Sequence, residues 1–151
     1  MIKRQAGFTL MELMVVIAII AILSGIAIPN AITWRNNAQV NSAARGLYSD
    51  LQSARTLAIK ENRDCTVTFN NSGRGSYTVS MENKADKTIN FSKYGAVALN
   101  SANFNNSNEI TFRSNGFAYD ANGVLTGGSV ELHGAINIEI VLTPLGNVRI
   151  M

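Results

Sequence analysis

Apolar residues are unevenly spread along the chain, and their spacing changes twice. From Phe8 to Ile28 the sequence reads FTLMELMVVIAIIAILSGIAI, apolar on every side and carrying one charge, Glu12. As a helix, these residues would rise about 31 Å, the thickness of a hydrocarbon core. After Pro29 the period becomes three to four: Val40, Ala43, Ala44, Leu47, Leu51, Ala54 and Ala58 fall on one helical face. Arg45, Asp50, Gln52, Arg55 and Lys60 fall mostly on the other. Pro29 lacks an amide proton and crowds the preceding turn, so it is expected to kink or open the helix without necessarily ending it.

Beyond Glu61-Asn62 the period becomes two. Cys65-Val67-Phe69, Tyr77-Val79-Met81, Ile110-Phe112, Val130-Leu132 and Ile136-Ile138-Ile140-Leu142 alternate with polar residues. Turn formers separate them at Asn70-Asn71-Ser72-Gly73, Asn122-Gly123, Gly127-Gly128 and Pro144-Leu145-Gly146. The Asn/Ser-rich passage 100–108 has little to bury and is expected to be an exposed loop. These signals predict an α+β protein in which a long helix, half membrane-spanning and half amphipathic, packs on a C-terminal antiparallel β-sheet or small β-sandwich. The expected segments are a leader at 1–7, a transmembrane and assembly helix at 8–28, an amphipathic helix at 29–60 and a β domain at 61–151.

Charge adds orientation. Lys3 and Arg4 precede the apolar run and no comparable basic cluster follows it, so the N-terminus stays cytoplasmic and the remainder crosses. Trimming the first seven residues takes two charges off the formal +3. The near-neutral remainder gives no electrostatic reason to expect nucleic acid. Cys65 is the sole cysteine, so an intrachain disulfide is excluded.

Three readings compete for the first thirty residues. An ordinary signal peptide, cleaved at the small-x-small Gly25-Ile26-Ala27 to release a secreted β domain, fits poorly, because the uncharged stretch is too long and holds a carboxylate near its start. A plain anchor leaves Glu12 unexplained, since its ionised form costs on the order of 2.5–3.5 kcal/mol near a bilayer centre. Cleavage between Gly7 and Phe8 explains it. The new amine of Phe8 lies one turn from Glu12, and a neighbouring subunit's amine could meet this carboxylate in an apolar filament core, fixing axial register.

Lys3-Arg4-Gln5-Ala6-Gly7, Phe8-Thr9-Leu10-Met11-Glu12-Leu13, the apolar run and Pro29 together resemble the class III leader of type IV prepilins and type II secretion pseudopilins. The resemblance implies a membrane prepilin peptidase that cuts after Gly7 and methylates the Phe8 amine. It further implies an inner-membrane assembly platform and other pilins or pseudopilins as partners, and a single-pass protein with a periplasmic C-terminal domain that enters a filament. The stretch Leu47–Asn62, then Ile110-Thr111-Phe112 with Gly116, and the closing Gly146-Asn147-Val148-Arg149 resemble the H-type minor pseudopilins and FimT-like minor pilins. The expected function is thus a minor subunit of a type II secretion pseudopilus or a type IV pilus.

Enzyme chemistry is not expected, and neither a cofactor nor a metal is. His133 follows Glu131 on one strand face but lacks a nucleophile or metal-ligand companion. Cys65, opening an alternating strand, reads as a small buried residue. Asp120 and Glu131 stand at first and twelfth calcium-loop places, but Leu125 holds the sixth and Gly123 comes two places early, so an Asx-type turn is expected. FimT-like pilins involved in DNA uptake are associated with a Gly-Arg-x-Arg ending. Here Asn147 replaces the first arginine, leaving Arg149 as the one candidate DNA contact, and nothing brings Arg74, Lys93 or Arg113 to its face.

Overall fold

The computed structural model describes residues 8–151, which form two compact units, one ending at Arg35 and the other spanning Asn36–Met151. A 52-residue helix, α1 (Leu10–Glu61), contributes to both. The helix assignment continues through Pro29, and Arg63 N–H donates to Ala58 O just past its end.

In the second unit the helix buries Val40, Ala43, Ala44, Leu47, Leu51, Ala54 and Ala58, the same seven residues that the spacing marks. Four of the seven are alanines, so the helix can approach closely while Leu47 and Leu51 fill the core. Each fully buried leucine contributes roughly 1.5–3 kcal/mol. Nine antiparallel strands follow: β1 (Cys65–Asn70), β2 (Ser76–Met81), β3 (Lys87–Asn90), β4 (Ala98–Asn103), β5 (Glu109–Phe112), β6 (Ala118–Tyr119), β7 (Gly128–His133), β8 (Ile138–Leu142) and β9 (Val148–Ile150). They form one sheet of order β3-β2-β1-β5-β6 and another of order β4-β7-β8-β9. Alternation sets the faces. Cys65, Val67 and Phe69 point into the core, while Thr66 pairs its hydroxyl with Thr111 at 2.9 Å on the other face.

One core joins the helix face to both sheets. Its aromatic spine runs from Phe104 to Phe69 at 5.6 Å between centroids, on to Tyr77 at 6.0 Å, then to Phe91 at 5.6 Å. Such tilted pairs add to the area they bury.

Three expectations need correction. The passage 100–108 is not a loop throughout: Asn100–Asn103 lies in β4, and Phe104 is fully buried. Asn105 and Asn106 instead make a tight turn at φ 55° and 64°, a region asparagine tolerates, and Asn108 Nδ2 donates to Phe69 O at 2.6 Å. The turn expected at Gly127-Gly128 has shrunk, because Gly128 already pairs with Leu142 in β7. Ile136 lies outside β8 and is partly exposed.

The capped apolar helix and the C-terminal turn cluster

In the candidate assembly segment, residues 8–28, Thr9 immediately precedes the first helical turn. Thr9 N–H and Oγ1 both donate to Glu12 Oε2 at 2.9 Å, and Glu12 N–H donates to Thr9 Oγ1 at 3.2 Å. This is a reciprocal capping box: Thr9 and Glu12, three residues apart, satisfy amide donors that the first turn leaves open. The Thr-x-x-Glu spacing marks this box in the sequence, and the box adds an intrachain role to the intersubunit contact expected of Glu12. Phe8 is 89% exposed, and the apolar side chains of the helix after it are exposed among the described residues. Gly7, on one side of the bond expected to be cut, lies outside the described residues.

Arg149 is exposed on β9, opposite Val141, and joins no ion pair among the described residues. Asn147, where the DNA-associated ending has its first arginine, is already engaged: Arg55 Nη1 donates to Asn147 Oδ1 at 3.3 Å. The same guanidinium donates from Nε to Gly116 O and from Nη2 to Leu145 O, both at 2.9 Å. Arg55 therefore fastens the helix to two turns, 61 and 90 residues away in sequence. The turns meet closely. Gly116 and Gly146 have φ of 77° and 78°, and a Cβ on Gly146 would collide with Gly116 O. Its spacing puts Arg55 on the polar helix face, and no local signal reveals the distant acceptors.

The other basic candidates have contacts of their own. Arg74 donates to Gly95 O, Lys93 lies 4.8 Å from the Tyr94 ring centre, and Arg113 lies 4.0 Å from that of Tyr119.

Asp120 forms the expected Asx turn. Its Oδ1 accepts Asn122 N–H and Val124 N–H at 2.9 Å, and its Oδ2 accepts Asn105 Nδ2 at 2.7 Å. The Asn105 amide, followed by the Val124 amide, holds this carboxyl below its ordinary value. Glu131 accepts Asn100 Nδ2 at 2.7 Å, and no group of three potential ligands that could hold a metal occurs among the described residues. His133 is exposed, with Nδ1 2.8 Å from Asn137 Oδ1. Cys65 is fully buried, and burial raises its thiol pKa, which disfavours the nucleophilic thiolate. Asp50, on the polar helix stripe, accepts Tyr77 Oη at 2.8 Å and Lys87 Nζ at 2.7 Å; burial, then this carboxylate, pushes the Tyr77 phenol up.

A helix with an exposed apolar N-terminal stretch, followed by a helix-and-two-sheet body, defines a pilin-like chain. Residues 2–28 match the prokaryotic N-terminal methylation motif and residues 43–146 match the family of the type II transport protein GspH. The chain belongs to that family, a family of structural pilin and pseudopilin subunits. A fimbrial protein of Pseudomonas aeruginosa is 45% identical over 62 residues, 41% of this chain and 40% of that protein. The type IV major pilin protein PilA of Myxococcus xanthus (strain DK1622) is 50% identical over 44 residues, 29% of this chain and 20% of that protein. The chain thus spans two fifths or less of these relatives' lengths. Among solved structures, the type IV minor pilin FimU of P. aeruginosa superposes with a TM-score of 0.58 at 15% identity, over 76% of this chain and 90% of that one. The minor pseudopilin EpsH from the type 2 secretion system of Vibrio cholerae gives 0.58 at 12% identity, over 75% and 96%. At these identities the likeness shows the fold.

Proposed function

We propose that this chain is a minor subunit of a pilus or pseudopilus, anchored in the inner membrane through residues 8–28 with its N-terminus cytoplasmic and its β domain periplasmic. A prepilin peptidase cuts it between Gly7 and Phe8 and methylates the Phe8 amine, and an inner-membrane platform then moves it into a filament of other pilins or pseudopilins. The observation that carries this reading is the exposed apolar helix whose single carboxylate sits at its first turn. Its side chains are exposed among the described residues, so sister helices and lipid are the surfaces that would cover them. The capping box gives Glu12 an internal acceptor role until a neighbour's Phe8 amine replaces the Thr9 donors. Pro29 is where the helix would flex as it leaves the bilayer for the filament.

Mass spectrometry of the chain from its native host tests the processing step, with N-methylated Phe8 expected at the start and Met1 or Ile28 contradicting it. Glu12→Ala is expected to leave cleavage intact while lowering filament incorporation by about tenfold or more, because a buried amine loses its counter-charge. Gly7→Ala or a bulkier change is expected to slow cleavage instead. Normal incorporation of the Glu12 variant would remove the pairing.

A further inference from the structure

We infer that Trp34 and Arg35 form a headgroup collar, seated in the phosphate and carbonyl layer of the outer leaflet, that sets the depth of the helix in the bilayer. The inference rests on the membrane-spanning reading above and asks where along the helix the bilayer ends. Apolar character alone puts that boundary at Ile28, but the polar side chains just beyond it are turned back on their own helix. Asn30 Nδ2 donates to Ile26 O at 3.3 Å and Thr33 Oγ1 donates to Pro29 O at 3.1 Å. Internal satisfaction of this kind is what a lipid-facing polar group requires. Open polar chemistry starts one residue later. Among the described residues, Trp34, 76% exposed, has no hydrogen bond to its indole, and Arg35, also exposed, has no ion pair. An indole N–H and a guanidinium side by side suit ester carbonyls and anionic phosphates, the chemistry of the interfacial layer.

Length supports the placement. Glu12 and Trp34 are 22 steps apart on one continuous helix, or about 33 Å, slightly more than a hydrocarbon core of about 30 Å. Seating Trp34 just outside one edge therefore brings Glu12 to the opposite edge, where an ionised carboxylate costs little. Centring the apolar run instead would draw Glu12 roughly 6 Å inside the core. The collar would thus hold the carboxylate, and the bond to be cut five residues before it, at the cytoplasmic headgroups.

Trp34 is the sole tryptophan, so its fluorescence reports this position alone. The full chain is reconstituted in vesicles of phosphatidylethanolamine and phosphatidylglycerol, floated on a gradient, and quenched by lipids labelled near the headgroup or at the acyl-chain end. Shallow probes are expected to quench about threefold more than deep ones. Arg35→Ala is expected to lower that ratio about twofold as the ring sinks. Quenching by aqueous iodide but by neither lipid probe would put Trp34 in water and overturn the collar. Blue-shifted emission that neither iodide nor lipid quenches would overturn it in favour of a contact with another copy. A ratio unchanged in the Arg35 variant would remove the guanidinium's part. Chains that float yet fail these tests sink the collar alone, whereas chains that do not float overturn the membrane-spanning reading with it.

Discussion

The unit ending at Arg35 and the unit from Asn36 onward share one helix and use apolar residues in opposite ways. In the first, Leu, Ile, Val and Met side chains cover the whole circumference and stay exposed; in the second, seven residues on one stripe are buried and the remainder are polar or partly covered. A helix apolar all round has no inside within its own chain, whereas a striped one needs a single facing surface. A surface left uncovered over so long a stretch adds nothing to the folding of its own unit, so under the proposed function its covering falls to assembly.

Substitutions that respect only one side should separate the two units. Leu47→Ala, on the buried stripe, is expected to destabilise the second unit by about 2–5 kcal/mol, read as a lowered midpoint in denaturant, whereas Ile19→Ala should leave that midpoint unchanged. Equal effects would mean that the apolar segment is folded into the same cooperative unit. Gly146→Val is expected to cost about 1–3 kcal/mol, since a side chain there meets both left-handed backbone and the Gly116 carbonyl. Thermal melting against Gly146→Ala, which should fall between, checks it.

Acid offers a gentler probe. Because the folded state holds the Asp120 carboxyl below its unfolded value of about 3.9, its contribution is complete above that value and fades as pH falls through the depressed one. The melting difference between the parent and Asp120→Asn should therefore be flat above about pH 5 and shrink below about pH 4. A difference that grows in acid would contradict the assignment. Smallest of all, Arg149→Ala should change stability by about 0.5 kcal/mol or less, as an exposed side chain without an ion partner. Salt-sensitive DNA binding lost in that variant would revive the nucleic-acid reading despite the engagement of Asn147.

Periodicity made much of this fold legible. The seven helix residues, and the inward residues of β1, β2, β5, β7 and most of β8, follow from spacing alone, because each repeats long enough to declare a face. The short strands were not legible. β3 sends one residue, Ile89, inward, and β6 has two residues in all, too few to show a period. β4 was hidden by its asparagines, with a bulge between Leu99 and Ser101 interrupting the alternation. The exposed apolar helix is legible from its unbroken hydrophobic run, and its Thr9 cap from the Thr-x-x-Glu spacing at its start. Arg55 is the opposite case: its three acceptors come together only when the turns around Gly116 and Gly146 do.

That guanidinium bears on how the body would take tension. A subunit drawn along by its helix feels traction at one end of the domain, and unfolding begins wherever helix and sheet can shear apart. Arg55 ties the last turns of α1 to the β5–β6 and β8–β9 corners, one from each sheet. Traction reaching that point is divided between two sheets instead of prying at one, so the far end of the helix acts as a rivet.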